Sequence, residues 1–427
     1  RMKGYKKRYL FVSLCIVLFL AGCGLGENNT AEEKTTSAEE ESAPEEGTTG
    51  DILTETEQVP EVTVDGMSLD ILKNMTLEEK IGQMLFVGLD TLRADGKTGK
   101  LTKMNRTIEG KIKAWSPGGI ILYGKNIEDK EQVTELTEEL QQASRIPLLI
   151  GTEEEGGENS RIASQEKIEV EETEEAQTIG EEGNSTKAQE TGQIIGSYMT
   201  EMGFNLNFAP VADVSETTEN TIMGSRTYSS DAEVTSDMAA AFIKGIQSEG
   251  VSAVLKYFPG QGSLTDDTHK GAADITKTIK ELRKTEFKPF SAGIDAGVDF
   301  IMVGHASVSS VTENQTPASL SKLMIAEILR NELQFDSVVI TDSMNMKAIT
   351  ETYSPEEAAA KAVKAGADMI LCPDNGREAY EGIRRAVKDG EIEEKRLDES
   401  VLRILRVKIR RGVIPEDTEL VGIKGGE

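Results

Sequence analysis

Histidine is almost missing from this chain: 427 residues contain two, His269 and His305. Cysteine is nearly as scarce. Cys15, Cys23 and Cys372 are the full set, so no disulfide framework can form. With so few imidazoles and thiols there is no ligand set for zinc, and no carboxylate spacing matches a calcium loop. No metal and no other cofactor is expected. No G-x-G-x-x-G opens a helix, which argues against a bound dinucleotide. Aromatics are 5% of the chain, with Trp115 the one tryptophan. That composition argues against a long aromatic-lined cleft and for a short pocket. Positive charge is also short: 47 Lys and Arg stand against 75 Asp and Glu, a net charge of −28. A folded body of that sign is not a partner for nucleic acid or for an anionic membrane surface.

The chain divides into three parts. Residues 1–23 read as an export signal. Lys3, Lys6, Lys7 and Arg8 precede the apolar stretch Tyr9–Leu20, which is too short for an ordinary membrane span. The end, Leu20-Ala21-Gly22-Cys23, resembles a bacterial lipobox. The resemblance implies cleavage before Cys23, lipidation of its sulfur and anchoring outside the cell membrane by acyl chains. Residues 24–66 are rich in Glu, Thr, Ser and Gly and lack aromatics. Such a segment cannot bury enough apolar surface to offset chain entropy, so it reads as a disordered acidic tether. Residues 67–427 read as the folded body.

In the body, eight short apolar runs alternate with helical patterns. The runs are Met84–Gly88, Gly119–Tyr123, Pro147–Gly151, Phe204–Pro210, Val251–Leu255, Phe300–Gly304, Ser337–Thr341 and Asp368–Cys372. Thr76-Leu-Glu-Glu79 is a capping box that opens a helix. Further helices are expected over Ile127–Ala143, Ala188–Met202, Val234–Ser248, Ile279–Ala292, Leu320–Leu333, Pro355–Ala365, Arg377–Lys388 and Asp398–Arg411. Strands without polar alternation, each followed by a helix, make a parallel sheet buried on both faces. Eight units predict an α/β fold, a single (β/α)₈ TIM-type barrel; a doubly wound open sheet is the alternative.

A barrel of this kind carries its chemistry at the C-terminal strand ends. Those ends hold Glu153, Glu154 and Glu155, Asp213, Lys256, His305, Asp342 and Asp374. The stretch Leu255–His269 is the most informative. It leaves a strand, turns at Pro259, Gly260 and Gly262, and ends on Asp267-Thr-His269. A lone D-x-H also fits a turn with a solvated histidine. Cys372 reads as a small buried side chain at a strand end.

Four segments together resemble glycoside hydrolase family 3, in its β-N-acetylhexosaminidase branch. Ile146–Ile150 followed by Glu153-Glu-Glu-Gly-Gly157 and Arg161 is similar to the family's Asp-x-Glu-Gly-Gly…Arg segment. Phe204–Asp213 is similar to its fourth strand. Lys256–His269 is similar to Lys-His-Phe-Pro-Gly-His-Gly followed by Asp-Ser-His. Val338–Met344 is similar to the strand that carries the nucleophile. The similarity runs from about Thr76 to Val413.

The resemblance implies a retaining exo-glycosidase that removes terminal β-linked N-acetylhexosamine, such as N-acetylglucosamine, from peptidoglycan fragments, chitin oligomers or host glycans. Asp342 would be the nucleophile, His269 the acid/base and Asp267 its orienting carboxylate. Lys256, Arg226, Arg161, Glu153 and Tyr257 would bind the sugar. His305 would either line the rim or sit satisfied in the core. A histidine acid/base would also let phosphate replace water in the second step. Three positions depart from the pattern: Glu153 where the family has Asp, Tyr257 where it has His, and Gln261 where Gly-His-Gly has its His. Two alternatives follow. A β-glucosidase-type member is one, although such proteins usually add a sandwich domain that this chain is not expected to contain. A catalytically impaired glycan-binding lipoprotein is the other. The acidic stretch Glu166–Glu182 reads as a solvated loop.

Overall fold

The computed structural model describes residues 63–93, 99–215 and 223–416. The signal segment, Cys23 and nearly all of the tether lie outside the described residues. The first helix, Val64–Lys73, starts inside the stretch read as tether, and the Thr63 hydroxyl caps it by accepting the Gly66 N–H.

Eight parallel strands follow: β1 (Leu85–Gly88), β2 (Gly119–Ile121), β3 (Leu149–Thr152), β4 (Leu206–Asn207), β5 (Ser252–Phe258), β6 (Phe300–Val303), β7 (Val338–Thr341) and β8 (Ile370–Leu371). Their spatial order is β7-β6-β5-β4-β3-β2-β1-β8. Ile340 pairs with Met369, and the Thr341 N–H donates to the Met369 carbonyl at 3.1 Å, which closes β7 on β8. The fold is thus the α/β TIM-type barrel, and the open-sheet alternative is excluded.

The strands are buried on both faces because each has an inner and an outer partner. Phe86, Leu149, Leu206, Phe208, Phe300 and Ile340 fill the barrel interior, with Phe86 and Phe208 packed edge to face at 5.2 Å. The glycines of β2 and β3 make room for these two rings. A Cβ on Gly119 would meet the Phe86 ring at 2.4 Å, and one on Gly151 would meet Phe208 at 2.9 Å. The last helix, Glu394–Arg410, plugs the bottom of the barrel with Ile404 and Val407. Asp368, at the bottom before β8, is buried and takes Arg330, Arg396 and Arg403.

Three expected elements differ. The helix read over Ile279–Ala292 is two, Ile279–Lys284 and Phe287–Asp295. The break falls at Glu286, whose buried carboxylate turns inward to take Lys277. A helix at Arg106–Trp115 fills the space between β1 and β2, where none was read. It buries Ile108 and Ile112 fully, an apolar stripe too narrow to register in the sequence pattern. Part of the acidic stretch is helical: Ala176–Glu182 buries Ala176, Ile179 and Gly180.

Candidate active site

The loop after β3 is built around Glu154. Along an extended chain, residues 153 and 155 share one side and 154 takes the other. Glu154 is fully buried. Its carboxylate accepts the backbone N–H groups of Arg161, Ile162 and Ala163 and the Tyr198 hydroxyl. The Asn207 amide on β4 clamps the Glu154 backbone, donating to its carbonyl at 2.8 Å and accepting its N–H at 2.9 Å. A carboxyl group with that many donors has its oxygens satisfied, and it folds the loop around itself.

Glu155 faces the barrel axis. Arg226 Nε and Nη2 donate to its two oxygens at 2.8 and 2.6 Å, and Lys256 Nζ lies 2.7 Å from Oε1. Burial alone would push this carboxyl up; the Lys256 ammonium and Arg226 guanidinium outweigh it and bring it down to about 2. Arg226 Nη2 also donates to the Tyr257 hydroxyl at 2.7 Å. Glu153 takes Arg161 Nη2 at 2.9 Å and faces Lys256 Nζ at 3.6 Å. Burial pushes Glu153 up as well, and Lys256 and Arg161 more than offset it. Three cations and two carboxylates therefore form one locked wall over β3–β5. Glu155 is its centre, and the sequence reading placed it on the rim without giving it that role. Its i, i+2 spacing from Glu153 was the available signal.

The turn after β5 is set from below. A Cβ on Gly262 would meet the Val214 carbonyl oxygen at 1.8 Å, so only glycine lets the two backbones approach. Asp213 is buried and accepts the Gln261 N–H at 2.7 Å. Burial pushes its carboxyl up to about 7. It supports the turn rather than facing the cleft.

The loop then carries Asp267 and His269 over the barrel mouth. Asp267 Oδ1 lies 2.9 Å from both the His269 backbone N and ring Nδ1. Partial burial raises the Asp267 carboxyl, but the His269 backbone N–H and ring lower it further, leaving it below the usual range. The His269 side chain is 70% exposed. Asp342, just past β7, is nearly buried, and its Oδ1 accepts the Ser343 N–H at 2.7 Å. His305 is buried between the Ser319 hydroxyl at 2.8 Å and the Ser343 carbonyl at 3.0 Å. A carbonyl only accepts, so Nε2 carries the proton and Nδ1 accepts from Ser319. Burial lowers the His305 pKa. It is a satisfied strut beneath the Asp342 loop.

A cleft of about 230 Å³ gathers Glu153, Arg226, Tyr257, Gln261, His269 and Asp342. Lys256, Arg161 and Asp267 act from behind these groups, through Glu155, Glu153 and His269. Thr268, Tyr123 and Asn345 also line the cleft, and the sequence reading did not single them out. Among the described residues no group of three or more His, Cys, Asp or Glu side chains could hold a metal ion.

The chain is similar in sequence and fold to known proteins. A β-hexosaminidase of Idiomarina loihiensis is 32% identical over 267 residues, covering 60% of this chain and 76% of that protein. A β-hexosaminidase of Hydrogenovibrio crunogenus is 28% identical over 308 residues, covering 70% and 82%. The solved structure of a glycoside hydrolase family 3 β-N-acetylglucosaminidase from Paenibacillus sp. superposes with a TM-score of 0.74 at 34% identity, over 79% of this chain and 63% of that one. This chain thus spans just under two thirds of that longer protein. Residues 76–407 match the glycosyl hydrolase family 3 N-terminal domain, from the first capping box to the helix that plugs the barrel, and the chain belongs to that family.

Proposed function

We propose that this glycoside hydrolase removes terminal β-linked N-acetylhexosamine from glycans, with retention of configuration. One observation carries the reading: an exposed imidazole held through Nδ1 by Asp267 lines the same cleft as the Asp342 carboxylate. Nδ1–H donates to Asp267, so Nε2 is left for the substrate. In the first step an Asp342 oxygen attacks the anomeric carbon while the glycosidic C–O bond breaks. Imidazolium Nε2–H gives its proton to the leaving oxygen. Asp267 stabilises the cation before the transfer and fixes the ring throughout. In the second step neutral Nε2 takes a proton from water, the water oxygen attacks the anomeric carbon, and Asp342 leaves as carboxylate.

The names of the two β-hexosaminidases support a hexosamine as the sugar, and that of the Paenibacillus β-N-acetylglucosaminidase supports N-acetylglucosamine. The locked wall of Glu153, Arg226 and Tyr257 suits the hydroxyls of a non-reducing end, which supports exo action. The Cys23 lipobox supports a site of action outside the cell membrane on a lipid anchor, with peptidoglycan fragments or chitin oligomers as substrates.

Turnover by residues 63–427 of aryl β-N-acetylglucosaminide and aryl β-glucoside, with and without phosphate, tests the reading. Release from the acetylated sugar that vanishes in Asp342→Asn is expected. Binding of the sugar with no release from either substrate would replace the glycosidase with a glycan-binding protein. Faster release in phosphate, with a sugar phosphate as product, would replace hydrolysis with phosphorolysis.

A further inference from the structure

Tyr123 stands two residues past β2, at the barrel mouth, and its side chain lines the cleft. The turn that follows pins its backbone. The Tyr123 N–H donates to Asn126 Oδ1 at 2.9 Å, and its carbonyl accepts the Asn126 N–H at 2.7 Å. Asn126 is held in turn, donating from Nδ2 to the Leu101 carbonyl at 2.9 Å. A phenol on so fixed a backbone delivers its hydroxyl to one place.

That hydroxyl lies 3.2 Å from Cys372 Sγ. Cys372 follows β8 directly and is buried. Its φ is +41°, in the left-handed region that costs a side-chain-bearing residue free energy and persists where the surroundings hold it. Its N–H donates to the Phe86 carbonyl on β1 at 2.8 Å. Burial pushes the thiol up to about 11, so the sulfur is neutral near pH 7. A phenol is a better donor than a thiol, so Tyr123 gives the proton and sulfur accepts it. Burial and the Cys372 sulfur also push the phenol well above its ordinary range, while the Ser343 side chain pulls it the other way as a hydrogen-bonding partner. A group that lowers a phenol's pKa donates to its oxygen. The order is therefore Ser343 hydroxyl to Tyr123 hydroxyl to Cys372 sulfur.

Ser343 is the residue after the nucleophile, and it is gripped on every polar atom. Its N–H donates to Asp342 Oδ1 at 2.7 Å, its carbonyl accepts His305 Nε2–H at 3.0 Å, and its side chain reaches Tyr123. A carboxylate turns easily about its last torsion. While the Ser343 N–H holds Oδ1, the other Asp342 oxygen stays in one position. Ser343 freed from Tyr123 can rotate its peptide, and the carboxylate rotates with it.

We propose that Tyr123 is a positioning residue for the nucleophile: bound to Cys372 and Ser343, it keeps the Ser343 N–H on Asp342 and so fixes the attacking oxygen. The assignment rests on the glycosidase reading and adds to it the group that holds the nucleophile in line. It also gives Cys372 a task beyond filling space at a strand end.

The test uses dinitrophenyl and methyl β-N-acetylglucosaminide as substrates and N-acetylglucosamine as a competitive inhibitor. Asp342 attacks whatever the leaving group, so Tyr123→Phe is expected to lower kcat/KM about tenfold on both substrates. The inhibition constant is expected to stay unchanged, because the phenol acts through Ser343 rather than on the sugar. Cys372→Ser keeps an acceptor and is expected to behave as wild type. Cys372→Ala is expected to lose about fivefold, and the double variant to be no worse than Tyr123→Phe alone, since coupled groups do not add. Unchanged kcat/KM in Tyr123→Phe would overturn the positioning role. So would a loss confined to the methyl glycoside, a loss that appears in the inhibition constant, or additive losses in the double variant. In each of those cases wild-type turnover leaves the glycosidase reading standing. Absence of wild-type turnover on both substrates would remove both.

Discussion

The backbone carbonyl of Thr268 accepts the backbone N–H of Ala348 at 3.3 Å. That single bond ties the loop carrying Asp267 and His269 to the segment that follows Asp342. Ala348 is the second residue of a short helix, Lys347–Thr350, where the N–H has no partner within the helix. The latch thus uses a donor the helix leaves free.

Ala348→Pro removes that donor at a position where proline fits the first helical turn. We expect kcat to fall about tenfold, because loop docking gates the chemistry, with little change in melting temperature. An unchanged kcat would show that the latch does not hold the acid/base in place.

His269→Ala should lower kcat/KM by about 10²–10⁴-fold for substrates with poor leaving groups. The loss should shrink for an activated leaving group such as dinitrophenolate, which leaves without a proton. Equal losses for both leaving groups in steady-state assays would argue against the acid role.

Glu155→Gln should destabilise the fold by about 3 kcal/mol near pH 7, because it leaves Lys256 and Arg226 buried without their shared anion. The sign with pH follows from a folded pKa of about 2, below the ordinary glutamate value of 4.5. The stability that Glu155 contributes is complete above about pH 4.5 and is lost as pH falls toward 2. Denaturant unfolding of wild type and variant should converge over that window. A gap that stays constant from pH 6 to 3 would contradict the locked-wall description.

Lys408→Met should stabilise the protein. Lys408 is fully buried in the last helix, with Gln83 Oε1 at 2.7 Å, and burial brings its pKa down to about 7. Because the folded pKa lies below the unfolded one, the unfolded chain binds more protons between about pH 7 and 10.5. Wild-type stability therefore rises with pH across that range. The variant should gain on the order of 1–3 kcal/mol near pH 6, after about 1 kcal/mol is lost at the orphaned Gln83 acceptor. The gain should fade toward pH 10. A variant less stable than wild type at pH 6 would assign the ammonium a stabilising role.

The sequence by itself determined a parallel sheet of eight strand–helix units. Strand-length apolar runs such as Val338–Thr341 cannot face water on either side, and alternation with capped helices covers them; that the sheet closes rather than staying open was decided by the pairing of β7 with β8. It also determined which residues stand at the mouth, because strand ends and a D-x-H loop can be counted along the chain. What it could not determine was which way those residues turn. Glu153, Glu154 and Glu155 are one letter repeated. Pairing with Asn207 on β4 sends Glu154 into the loop's interior and leaves Glu155 to Lys256 and Arg226. His305 and His269 look alike on paper, yet Ser319 and Ser343 bury one and Asp267 presents the other. Tyr123 and Cys372, 249 positions apart, share a hydrogen bond only because β8 closes beside β1. Side-chain direction and long-range closure depend on neighbours that are distant in sequence, and packing settles them.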